Sequence, residues 1–189
     1  LAAVPFQIIS PANNQSIIGI FQDSLLGSYQ FTRVGVKFDS RAAMNLLMAL
    51  DTVNESMFSN IDGNLSNFQI LSQIMPPITL KYKKKQFGEK EDYNTSNNVL
   101  EIRDGQYLRG QLDKAVLGSG TNGLIHRTCN DFNNMTSAKF IDDLQNIITE
   151  YMKVSSYSVG ISDLIANAET NNKIAEVIIS KKTEVKGLI

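Results

Sequence analysis

The residues best able to do chemistry lie in the second half of the chain. Gly118-Ser119-Gly120-Thr121-Asn122-Gly123 fits the G-x-G-x-x-G spacing of loops whose backbone N–H groups cradle a pyrophosphate. Such a site also needs a βαβ unit and an acidic residue ending the second strand ~20 residues on. Asp142 and Asp143 stand near that distance but fall within a predicted helix. Leu124 occupies the position where a Walker A loop requires lysine. A glycine connection that lets backbones pack closely accounts for the same residues. His126 is the only histidine and Cys129 the only cysteine. As His-x-x-Cys they could share a helix face, but zinc takes three or four ligands and no other Cys or His exists. A nucleophilic triad would have to use His126, with no G-x-S-x-G elbow and no signature around Cys129. Asp142 and Asp143 diverge by ~100° on a helix, so they do not form a facing acid–base pair. Asp62-Gly63-Asn64 resembles part of an EF-hand loop, but the glycine is misplaced and the closing Glu is absent.

Lys81, Lys83, Lys84 and Lys85, with Tyr82 among them, form a basic stripe. Phosphates are one use for it. Solvated lysines that discourage edge-to-edge strand pairing are another. Lys114 follows Asp113 and reads as half of a surface ion pair. The formal net charge of −1 excludes a global pull toward nucleic acid or a membrane, so any such contact is local. One cysteine cannot close an internal disulfide, in keeping with a reducing compartment. No apolar run approaches the ~18 residues of a spanning helix, and no membrane partner is expected.

The elements that must carry these residues read as follows. Phe6–Ser10 and Ile17–Phe21 are β-prone and should pair or lie close, with a turn at Pro11-Ala12-Asn13-Asn14. A short helix fits Asp23–Tyr29, with Asp23 as N-cap. Asp39 and Ser40 offer caps for a helix whose apolar positions are Ala42, Ala43, Leu46, Leu47 and Leu50. Asp51–Asn64 reads as a surface loop, and Ser66–Ile74 as a helix ended by Pro76-Pro77. Ile78–Lys83 alternates as a half-buried strand, and Gln86–Asn98 reads as a mobile loop. Val99–Arg103 and Gln106–Leu108 flank Asp104-Gly105, which predicts a β-hairpin with a type I′ turn. Leu124–Phe132 and Ser137–Val154 are helical. Ser158–Ser162 breaks the pattern, and Glu169–Lys186 resumes it. The fold class is α+β: small mixed or antiparallel sheet elements with several packed helices, in one domain plus a C-terminal helix.

Two stretches resemble a known family. Val4-Pro5-Phe6-Gln7-Ile8-Ile9-Ser10-Pro11, leading into Gly19-Ile20-Phe21-Gln22-Asp23-Ser24-Leu25-Leu26-Gly27, resembles the pore region of the largest subunit of multisubunit DNA-dependent RNA polymerases. Asp104-Gly105-Gln106 through Gly110, then Asp113-Lys114, then Gly118-Ser119 to Gly123-Leu124-Ile125-His126, resembles a second run of that family. Ser158 to Ala166 is similar to a third. The pattern is closer to the eukaryotic and archaeal version than to the bacterial one.

The resemblance implies a polymerase pore domain over 1–168 and the start of the funnel helices over 169–189. Nucleoside triphosphates would enter through that pore, and backtracked RNA 3′ ends would leave through it. Two Mg²⁺ ions would be held by an Asp-rich loop just upstream of Leu1, so this chain would hold none and would not polymerise alone. Asn14, Gln22, Asp23 and Lys114 match family positions that face nucleotide or RNA. Ala115 stands where the eukaryotic pattern often carries a second lysine. Implied partners are the second-largest subunit, the other polymerase subunits, DNA template, RNA transcript and a transcript-cleavage factor. The implied location is nuclear, or cytoplasmic for a large DNA virus that replicates there. The competing expectations are a stand-alone interaction module and a nucleotide-binding enzyme built on the Gly118 loop.

Overall fold

The computed structural model describes residues 2–59, 63–121 and 123–188. The chain divides into two compact units, Leu1–Ser155 and Ser156–Ile189. The first unit opens with a 3₁₀ turn, Val4–Gln7, where a strand was expected. Pro5 fixes a helical φ there and withholds a donor from any ladder. The two β-prone runs do meet, through an isolated bridge between Ile9 and Ser16 and through the Ile17 N–H donating to the Ile8 carbonyl (2.8 Å). Each run sends a residue, Ile8 or Ile20, into the core.

Helix α1 spans Gln22–Phe31. Phe21, not Asp23, is its N-cap; Asp23 lies in the first turn, where a carboxylate favours the positive end of the helix dipole. Helix α2, Ser40–Leu47, begins as expected, with the Asp39 carboxylate accepting from Ala42 N–H (2.6 Å). The predicted surface loop after it is more structured than its composition suggests. It contains α3, Ser56–Ser59, and leads into strand β2, Asn64–Ser66, which pairs antiparallel with β1, Lys37–Asp39. Asp62 of the EF-hand-like triplet lies outside the described residues. Helix α4, Asn67–Ser72, starts in a capping box of Ser66 and Gln69.

The second sheet has the order β3-β4-β5, all antiparallel: Leu80–Lys83, Val99–Arg103 and Gln106–Arg109. The hairpin forms at Asp104-Gly105, with φ of 46° and 74°, as a type I′ turn requires. Between β3 and β4, the predicted mobile loop is tied down. Glu91 accepts from Ser96 and Asn98, and Tyr93 and Phe87 receive Lys81 and Lys83 over their rings. Helices α5 (Lys114–Leu117), α6 (Leu124–Asp131) and α7 (Asn134–Ser155) complete the unit. The second unit holds α8 (Ile161–Leu164) and α9 (Ala168–Lys186).

The core lies where α7 crosses α1 and α6. Phe140, Leu144, Ile147 and Ile148 of α7 are fully buried. The Phe31 ring stacks on Phe38 (5.4 Å) and meets Tyr151 edge-on (5.1 Å). Gly27 sets the α1–α7 crossing: a Cβ there would lie 2.6 Å from Ile148 Cγ2. Asn67, buried, donates its amide to the Phe31 and Arg33 carbonyls and so closes the end of α1.

Candidate functional site

Strand β3 alternates in and out, and the next residue, Lys84, continues the inward set begun by Leu80 and Tyr82. Its side chain is 1% exposed. The Lys84 ammonium lies 3.2 Å from Asp113 Oδ2 and donates to the Gln111 carbonyl at 3.0 Å. The other oxygen of Asp113 accepts the N–H groups of Ala115 and Val116, capping α5. Oδ1 thus caps the helix, while the buried Oδ2 is held by the Lys84 ion pair alone and accepts no hydrogen bond among the described residues. The predicted ion pair between Asp113 and Lys114 does not form, because Lys84 has taken the acid. Lys114 stands exposed at the first position of α5, and among the described residues it makes no ion pair.

Two phenols lie close enough to Asp113 to feel its charge. Tyr107 donates its hydroxyl to the Gly110 carbonyl (2.7 Å), and burial holds its pKa well above the ordinary value. Burial pushes Tyr82 up to about 12, against the pull of the Arg127 guanidinium over its ring. Both remain protonated at neutral pH, so neither is a base.

The glycine loop does not follow a strand. It follows α5, and both sheets are antiparallel, so no βαβ unit exists among the described residues. Gly118 and Gly123 serve close packing instead: a Cβ on Gly118 would lie 2.4 Å from the Lys114 carbonyl and one on Gly123 3.1 Å from the Gly118 carbonyl, while Gly120 has open space around it. The loop leads into α6, where His126 is 6% exposed. Its Nε2 lies 2.9 Å from the carbonyl oxygen of Asn14, and its Nδ1 lies 3.2 Å from Asn130 Nδ2. Cys129 is also buried; its thiol meets Asn134 Oδ1, and burial raises its pKa. His126 and Cys129 are therefore separately occupied and do not form a ligand pair. Among the described residues no three acidic, histidine or cysteine side chains converge to hold a metal ion.

The segment carrying the other expected residues is fastened to this ground at two points. Asn14 meets His126, and Ile20 donates its N–H to the Leu117 carbonyl (2.9 Å). Asn14 and Gln22 are both exposed, and both hold a left-handed φ of 51°. That is a conformation a glutamine seldom adopts and an asparagine tolerates better. Asp23 points elsewhere: with Ser24 it borders a shallow groove against Ile148, Thr149, Met152 and Lys153 of α7. The structure thus brings Asn14, the approach to Gln22, and Lys114 onto one α5–α6 platform, and sets Asp23 on the α7 side.

The basic stripe is dispersed. Lys81 pairs with Glu101 (3.3 Å), Lys83 stacks over aromatic rings, and Lys84 is inside. Glu101 is held below the usual carboxylate range, first by its hydrogen bond from Arg109. Lys81 and Lys83 point outward on β3, an edge strand, as the strand-guarding alternative requires.

Sequence comparison agrees with these motifs. The family described as RNA polymerase Rpb1, domain 3, matches residues 7–164. Similar relatives are the DNA-directed RNA polymerase II subunits RPB1-A and RPB1-B of Trypanosoma brucei brucei. Each is 26% identical over 185 residues, which covers 97% of this chain and 10% of the relative. DNA-directed RNA polymerase subunit 1 of Acanthamoeba polyphaga mimivirus is 27% identical over 189 residues, covering 97% of this chain and 11% of that protein. The chain spans about a tenth of the length of the curated relatives it matches. With most of its length matched and its fold accounted for, the chain belongs to the RNA polymerase Rpb1 domain 3 family, a domain of the polymerase's largest subunit.

Proposed function

We propose that this chain lines the pore of a DNA-directed RNA polymerase, where nucleoside triphosphates enter and the 3′ end of a backtracked transcript leaves. The observation that carries the reading is Lys114: an exposed ammonium without an ion pair among the described residues, on a helix clamped from below by Lys84 and Asp113. An ammonium on a rigid mount is a point charge for phosphate. Asn14 and Gln22 offer carboxamides, able to bond bases or sugars, on the segment fastened to the same platform. Nucleotidyl transfer belongs to the assembled enzyme. Its Mg²⁺ would be held outside this chain, by the Asp-rich loop that the family resemblance implies.

The proposed partners are the second-largest subunit, template DNA, transcript RNA and, at the funnel beginning with α9, a transcript-cleavage factor. The proposed location is the nucleus, or the cytoplasm for a virus replicating there. Lys114→Ala in the assembled polymerase should weaken retention of backtracked RNA by about 1–2 kcal/mol, roughly 5- to 30-fold. Lys114→Arg should keep most of it. Unchanged pausing and cleavage kinetics in the alanine variant would refute the role. A stand-alone interaction module is the remaining rival. Failure to co-purify with a second-largest polymerase subunit would favour it.

A further inference from the structure

We infer that His126 is a positioning residue: it fixes the Asn14 turn and so aims the Asn14 carboxamide outward. This rests on the reading above, in which Asn14 meets transcript or nucleotide. A carbonyl oxygen can only accept, so the contact at 2.9 Å places the ring proton on Nε2. Nδ1 is then the acceptor for the Asn130 amide, which holds the same tautomer and ring orientation. Both His126 and Asn130 sit on α6, whereas Asn14 is 112 residues away in sequence.

Among the described residues 11–15, this is the only hydrogen bond to another element. The remaining bonds of the turn are local, such as Ser10 N–H to the Gln15 carbonyl and Asn14 N–H to the Ser10 carbonyl. A residue at φ 51° needs such a constraint, since a left-handed conformation persists only where its surroundings over-determine it. With the carbonyl drawn inward to His126, the exposed carboxamide, which makes no hydrogen bond among the described residues, is presented to solvent.

Three variants test this. His126→Phe keeps a ring and removes the donor. His126→Gln keeps a terminal N–H able to reach the carbonyl. Asn14→Gly keeps the backbone conformation and removes the carboxamide. In the full chain, His126→Phe should speed hydrogen exchange at the Ser10, Asn14 and Ile17 amides about tenfold, equivalent to ~1.4 kcal/mol. Amides of α7 should be unaffected, and His126→Gln should stay near wild type. If phenylalanine is not accommodated, His126→Leu takes its place.

In the assembled polymerase, His126→Phe and Asn14→Gly should lose similar retention of backtracked RNA, and the double variant should lose no more than Asn14→Gly. A purely structural histidine would give additive losses, which would overturn the inference. So would unchanged exchange in the turn. A neutral Asn14→Gly would instead overturn the reading of Asn14 as a contact, and turn exchange would then decide the histidine's hold on its own.

Discussion

Lys84→Met tests the foundation of the α5 platform. The substitution keeps the length and apolar stem of the side chain and deletes its charge. Asp113 would then keep its two backbone N–H donors from Ala115 and Val116 but lose its cation, in a site where its side chain is 11% exposed. The Gln111 carbonyl would lose its donor as well. Removing one partner of a buried pair costs ~3–5 kcal/mol. The two surviving helix-cap bonds place Asp113 at the lower end, so a loss of ~3 kcal/mol is expected. With a urea slope near ~2 kcal/mol/M, the unfolding midpoint should fall by about 1.5 M. The double variant Lys84→Met/Asp113→Asn removes the orphaned charge while an asparagine can still cap α5. It should be more stable than Lys84→Met alone, with a coupling of about 2 kcal/mol across the cycle. A loss under ~1 kcal/mol for Lys84→Met, or strict additivity, would refute the buried pair as the fastening of α5.

Other outcomes follow from single contacts. Gly27→Ala should destabilise by about 1–3 kcal/mol despite the better helix propensity of alanine, because the new methyl meets Ile148 and Met152; a chemical melt measures it, and Ile148→Ala should partly rescue it. Gly110→Ala combines a φ of 109° with a Cβ 2.7 Å from Leu100 Cα, a backbone atom that cannot yield, so ~3 kcal/mol or more should be lost in the same assay. The folded-state pKa of Glu101 is depressed, chiefly by Arg109, so its contribution is present above the ordinary carboxylate pKa and lost as pH falls through the folded value. Acid titration of stability should therefore be shallower in Glu101→Gln than in wild type. Native Cys129 should react with alkylating reagents far more slowly than after unfolding, since burial keeps it a thiol.

Local chemistry made much of this fold readable. Asp39, Ser66 and Asp104-Gly105 act through their nearest neighbours, and each appears where its type predicts. Long-range partners are what the sequence concealed. Strands β1 and β2 are three residues each and exist because they pair across a long interval, with no run of β-formers to announce them. The 6–10 segment had the composition of a strand, but Pro5 and a tight turn left it only one bridge. Lys84 was lost among identical neighbours, although extending the inward set Leu80, Tyr82 to position 84 would have singled it out. The hold of His126 on Asn14 joins residues 112 positions apart, and no spacing rule could pair them. Among the expected site residues, Lys114 and Asn14 share the α5–α6 ground, and Asp23 does not.

The division of labour between the two oxygens of Asp113 changes how the neighbouring residue must be counted. A tally of formal charge treats Asp113-Lys114 as a neutral dipeptide. In the folded chain the acid is cancelled by the Lys84 cation, so an approaching polyanion would meet Lys114 as a positive centre with no ion pair among the described residues. Neutralising Lys84 would therefore weaken attraction at a surface that Lys84 never reaches.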